Sequence, residues 1–179
     1  IALNLLKGMA FRGDTLYVGR IIGQLYRVNV ATGAATLVST STGINFSGLA
    51  FNPVTGQLWA SVRAPNANPD RIYKISLQDG TPTLVGATGV GPVNDIIFDG
   101  RGRLFGIAGT GTTVNSFIRI DTTTGAGTVI GSMGFASLQA LAARPDSFLT
   151  AVSEPTTNSA PHVFSLEQNY PNPFNPTTE

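Results

Sequence analysis

The chain has 179 residues, 42% hydrophobic and only 12% charged, with 11 Lys+Arg against 10 Asp+Glu for a net charge of +1. That balance, without a basic cluster, argues against a nucleic-acid or anionic-membrane footprint, and no 18-residue apolar run exists to form a transmembrane helix. The absence of cysteine excludes disulfides, thiolate metal sites and a cysteine nucleophile.

The first residues, Ile1 to Lys7, lack a basic n-region and a cleavage box, so they do not read as a signal peptide. Ile in place of Met at position 1 predicts that residues upstream have been removed. From Gly8 a pattern begins: Gly8–Phe11, Leu16–Val18, Leu25–Val30 and Thr36–Val38 are short runs rich in β-branched, aliphatic and aromatic residues. The same four runs return at Gly48–Phe51, Leu58–Ala60, Ile72–Leu77 and Thr83–Gly86. They return again at Asp95–Phe98, Leu104–Gly106, Phe117–Asp121 and Thr128–Gly131. The third and fourth runs of successive copies are offset by 47 and 45 residues. Gly33, Gly80 and Gly125 punctuate the turn before each fourth run, and Gly43, Gly89 and Gly134 close each unit. A fourth copy opens with a strand predicted over Ser137–Ala143 and continues at Phe148–Val152. Alternation in the third run, with Tyr26, Val28 and Val30 set against Arg27 and Asn29, predicts sheets with one side buried.

A repeated unit of 40–50 residues with four antiparallel strands is the pattern of a β-propeller. The runs "GLAFNPVTGQLWAS" (Gly48–Ser61) and "RIYKISLQDGTPTLVGATG" (Arg71–Gly89) resemble blades of secreted bacterial propellers. The expected fold is therefore all-β: about four four-stranded blades, or the C-terminal part of a larger propeller, followed by an extended Pro-rich tail. The propeller occupies 1–153, with blades at about 8–43, 44–89, 90–134, and 135–153 joined by a strand at 1–7. Three closures stay open at this point. Ile1–Leu6, with a strand at Val163–Leu166, completes the last blade; the chain belongs to a longer ring; or Ile1–Leu6 completes a blade of another copy, head to tail.

Residues 154–163 have the composition of a linker, and 164–179 open a distinct motif. Leu166, Gln168, Asn169, Tyr170, Pro171, Asn172, Pro173, Phe174, Asn175 and Pro176 lie in the string "LEQNYPNPFNPTT". This closely resembles the start of the C-terminal sorting domain carried by cargo of the type IX secretion system in the Bacteroidetes. The resemblance implies export, release or anchoring at the outer cell surface, and the secretion machinery as a partner. The chain departs from that pattern in ending at Glu179, without the body of such a domain. The three prolines hold their predecessors extended, and Tyr170 and Phe174 are spaced to anchor the tail in a groove.

No catalytic, cofactor-binding or metal-ligating set emerges, so no enzyme activity, cofactor or metal is expected. His162 is the single histidine and sits in the linker. Most carboxylates stand in turns, including Asp14, Asp79, Asp99 and Asp146, and no Asp-x-Asp-x-Asp loop occurs. Gly106–Gly111 lies between two strands and lacks the lysine of a phosphate loop. Tyr17, Trp59 and Phe105 hold equivalent positions and are expected to pack between blades. The candidate site is the mouth of the central channel, where first strands begin: Asn45, Ser47, Asn94, Asp95, Ser137 and Gln139. The expected function is that of a secreted or cell-surface, non-enzymatic propeller that is structural or adhesive and self-associates through Ile1–Leu6. The alternatives are a small-ligand or glycan-binding propeller using the channel mouth and, less favoured, a hydrolase or lyase.

Overall fold

Twelve strands and no helix make up the regular structure of residues 6–40, 42–64 and 69–143, the residues described in the computed structural model. Blade 1 consists of β1 (Leu6–Arg12), β2 (Thr15–Arg20), β3 (Leu25–Asn29) and β4 (Ala35–Ser39). Blade 2 consists of β5 (Phe46–Phe51), β6 (Leu58–Val62), β7 (Arg71–Ile75) and β8 (Pro82–Ala87). Blade 3 consists of β9 (Val93–Phe98), β10 (Leu104–Ala108), β11 (Val114–Ile120) and β12 (Gly127–Ala136). Each blade pairs its strands antiparallel in chain order, without a crossover. Every run read from the first three sequence copies overlaps its strand, with Val30, Ser76, Leu77 and Asp121 just past the ends of β3, β7 and β11.

The turn between third and fourth strands is built the same way three times. Gly33 N donates to Asn29 O, Gly80 N to Ser76 O and Gly125 N to Asp121 O, at 2.8–2.9 Å. Each loop then closes with a second bond: Asn29 N to Ala34 O, Ser76 N to Thr81 O and Asp121 N to Ala126 O. The glycines hold φ of 69°, 77° and 78°, a left-handed conformation that a Cβ disfavours. In blades 1 and 3 the side chains of Asn29 and Asp121 each accept two further amides, which locks the start of the turn.

Two cores separate the three sheets. Between blades 1 and 2, Tyr17 and Leu25 pack with Leu49, Leu58, Ala60 and Ile75. Between blades 2 and 3, Ala50, Trp59 and Ile72 pack with Ile96, Phe98, Leu104, Ile118 and Ile120. Burying each large side chain contributes roughly 1.5–3 kcal/mol. Equivalent aromatic pairs mark both interfaces: Tyr17 meets Phe51 edge-on at 5.2 Å, and Trp59 meets Phe98 edge-on at 5.5 Å.

At the inner ends the sheets approach more closely. A Cβ on Gly8 would stand 2.7 Å from Leu49 N, and one on Gly48 would stand 2.8 Å from Asp95 Cα and 2.9 Å from Ile96 N. β1, β5 and β9 are thus successive innermost strands in backbone contact through glycine.

Two expectations are corrected. Leu6 pairs with Arg20 as part of β1, so the first strand begins before Gly8 and Leu6–Lys7 belong to blade 1. The strand expected over Ser137–Ala143 does not form. Instead, side chains of blade 3 bind this segment: Leu138 N donates to Asn115 Oδ1 at 3.1 Å, and Leu141 N to Asp95 Oδ2 at 2.8 Å. Ile1–Leu5, Phe148–Val152, His162, the linker and the 164–179 motif lie outside the described residues.

Gly48→Ala should destabilise the fold by about 2–3 kcal/mol in urea unfolding, because the Asp95 and Ile96 backbone and the Asp95 carboxylate, itself held by two amides, occupy the space its methyl needs. Gly131→Ala, where nothing lies within 4 Å of the added Cβ, should change stability by less than about 0.5 kcal/mol.

Candidate functional site

The repeat brings one residue per copy to a common place. Lys7, Ser47, Asn94 and Gln139 are spaced 40, 47 and 45 residues apart. All four line a cavity of about 530 Å³, a volume suited to a small ligand. Leu6 and Phe46, one residue earlier on β1 and β5, line it too, as does Asn45. Ile21 and Arg63, each one residue beyond the end of β2 and β6, complete the wall. The cavity therefore sits where first strands begin and second strands end.

Its depth is graded by burial. Phe46 is fully buried, and Ser47 and Asn94 are each 8% exposed, whereas Lys7, Arg63 and Gln139 are exposed. Asn94 is fixed by two bonds, its Nδ2 donating to Gly109 O at 3.2 Å and to Leu138 O at 2.9 Å. The Arg63 amide donates to Asn45 O at 3.1 Å, tying the two walls of blade 2 together. The Arg63 guanidinium lies 3.9 Å from Asp70 Oδ2. Asp70 is itself buried and accepts amides from Ala64 and Val93.

Of the six residues expected at the channel mouth, Asn45, Ser47, Asn94 and Gln139 line this cavity, and Asp95 and Ser137 do not. Ser137 Oγ donates to Gly111 O at 2.8 Å and serves the loop after β10. The Asp95 carboxylate is engaged at both oxygens, by Ile96 N at 2.9 Å and Leu141 N at 2.8 Å. Burial pushes the Asp95 pKa up to about 6, and the bonds from Leu141 and Ile96 oppose that rise. Sequence reasoning missed Lys7, because the first copy was started one residue too late. It missed Arg63 because that residue follows a strand instead of opening one. Stepping back 40 residues from Ser47 was the signal that finds Lys7. Among the described residues, no three His, Asp or Glu side chains cluster to hold a metal.

A second feature is left open by the three blades. On one face of blade 1, the cross-strand rows are Met9–Val18–Tyr26–Leu37 and Phe11–Leu16–Val28–Ala35. Val18 and Tyr26 are buried at its centre, while Met9 and Phe11 are 62% and 61% exposed. The equivalent residues of blade 2 are Leu49, only 3% exposed, and Phe51, which packs on Tyr17. At the other end, Phe105 holds the position of Tyr17 and Trp59. It stacks on Phe117 of its own blade at 5.3 Å, half-buried, with Arg103 5.7 Å from its ring.

No protein-family model and no curated protein sequence matches the chain. Solved structures do. In the crystal structure of a nidogen/laminin complex, one chain aligns over 73% of this chain with a TM-score of 0.57 and 15% identity. A structural-genomics protein from Bacteroides thetaiotaomicron aligns over 74% with a TM-score of 0.54 and 16% identity, and TolB from Acinetobacter baumannii over 78% with 0.53 and 14%. The chain spans about half of the first of these and about a third of the other two. At these identities the likeness shows the fold: a β-propeller with three blades among the described residues.

The Asp95 shift has a testable sign. Its folded pKa lies above the ordinary aspartate value of 3.8, so the folded state binds a proton more tightly between about pH 4 and 6. Stability should rise as pH falls from 7.5 to 5, by roughly 1 kcal/mol relative to Asp95→Asn. Asp79, Asp99 and Asp121, whose pKa values are lowered mainly by hydrogen bonds, act in the opposite sense at lower pH. Melting curves of both proteins across that window check this, and a constant difference between them contradicts it.

Proposed function

We propose that this chain is a secreted, non-enzymatic propeller module that works as a structural or adhesive element by associating with copies of itself. The observation that carries the reading is the pair of open blade faces. Phe11 presents the ring that Phe51 and Phe98 insert at the two formed interfaces. Phe105 presents the acceptor position of Tyr17 and Trp59. Phe11 of one copy set against Phe105 of the next repeats a contact the molecule already makes twice, and an aromatic pair of this kind is worth about 0.5–1.5 kcal/mol beyond the area it buries. Such head-to-tail contact closes into a ring or extends as a fibre, depending on the rotation per copy. The low charge content helps, since few ions need desolvating at an interface between copies.

Placement outside the cell rests on the resemblance of Leu166–Pro176 to a type IX sorting motif. The non-enzymatic reading rests on the described residues at the channel mouth: amides, a hydroxyl and two cations, with no carboxylate or histidine among them to move a proton.

Light scattering over a concentration series should give masses at multiples of the chain. Phe11→Ser should weaken the association about tenfold or more while leaving the fold intact, since Phe11 is largely exposed. A strict monomer up to about millimolar concentration, far above the range of specific interfaces, overturns the proposal.

A further inference from the structure

The cavity at the blade ends carries charge of one sign. Lys7 and Arg63 line it, and among the described residues no Asp or Glu does. Lys7 forms no ion pair among the described residues. Arg63 has Asp70 at 3.9 Å, but that carboxylate already accepts two backbone amides and offsets the guanidinium only in part.

The repeat supplies its own comparison for these two cations. The residues equivalent to Lys7 are Ser47, Asn94 and Gln139, all neutral, and those equivalent to Arg63 are Ile21 and Gly109. The fold is served at these positions by uncharged residues, so blade construction does not require either charge. Both cations nevertheless meet in one cavity, and the other copies contribute hydrogen-bonding groups to it. Two cations over an uncharged floor of Phe46, Ser47 and Asn94 attract an anion, and about 530 Å³ accommodates far more than a single inorganic ion.

We infer that this cavity binds a small polyhydroxylated carboxylate of the sugar-acid class. Lys7 and Arg63 hold the carboxylate, Ser47 and Gln139 donate to and accept from hydroxyl groups, and Asn94, whose Nδ2 is engaged by Gly109 O and Leu138 O, accepts from a hydroxyl through Oδ1. A long polyanion is a poorer fit, because the sequence holds no basic cluster that would extend these two cations into a track. The same chemistry is offered by a free sugar acid and by the acidic end of a polysaccharide.

Calorimetric titration at low salt, at a protein concentration where the Phe11→Ser variant is monomeric, keeps this test separate from self-association. Galacturonate should bind and raise the melting temperature, as any native-state ligand does. Galactose, its neutral counterpart, should bind at least about tenfold more weakly. Lys7→Gln, which installs the residue of the fourth copy, should weaken galacturonate about tenfold and leave the melting temperature of the free protein unchanged. Arg63→Lys is the second variant and should weaken binding without removing the charge beside Asp70. Affinity that rises from galacturonate to its trimer assigns a polysaccharide end, and equal affinity assigns the free acid. No binding of galacturonate at millimolar concentration, affinity equal to that of galactose, or an unchanged Lys7→Gln variant overturns the inference.

Discussion

Phe51 meets Tyr17 edge-on between the first two sheets, and Phe98 meets Trp59 the same way between the second and third. Around each pair, one face of a sheet supplies Leu, Ile and Phe, and the facing sheet supplies a small residue, an aromatic and an aliphatic. This face-to-face packing is what the remaining features depend on. A four-stranded sheet with two apolar faces has no stable place alone in water, and stacking sheets is the arrangement that covers both. The same requirement explains why Phe11 and Phe105 stand out: each is a packing residue whose partner position is not filled within the three blades.

Stacking at this spacing places demands on the innermost strands. They converge toward the axis, so Gly8 and Gly48 face the next backbone with no room for a methyl group. Blade 3 departs from that rule with Asp95, whose carboxylate lies against Gly48 and binds Leu141 N. A half-buried carboxylate with two amide donors, together with Asn115, holds the following segment, 137–141, on the blade by side-chain bonds instead of a strand ladder. Convergence also gathers the residues just before these positions, and a wall of Lys7, Ser47, Asn94 and Gln139 follows from geometry that the core imposes.

Much of this was legible in the chain itself. Period-2 alternation, the glycines at Gly33, Gly80 and Gly125, and offsets of 47 and 45 residues specify strands, turns and blades, because each depends on local backbone preference and on which side faces the core. Four of the six residues expected at the channel mouth, Asn45, Ser47, Asn94 and Gln139, line the cavity, as the same register argument places them. Lys7 was not among those expected, because the first copy was begun at Gly8, and Arg63 was not, because it follows the end of a second strand instead of opening a first one.

What the sequence determined by itself is the blade: its four strands, its turn chemistry and its apolar faces are set by contacts within about 45 residues. Only the tertiary structure decided which faces meet and which stay open. It also decided that Asp95 is spent on an interface, that 137–143 is held without a ladder, and that two cations from different blades share one cavity. Those outcomes rest on distances between residues far apart in the chain, and periodicity carries no information about such distances.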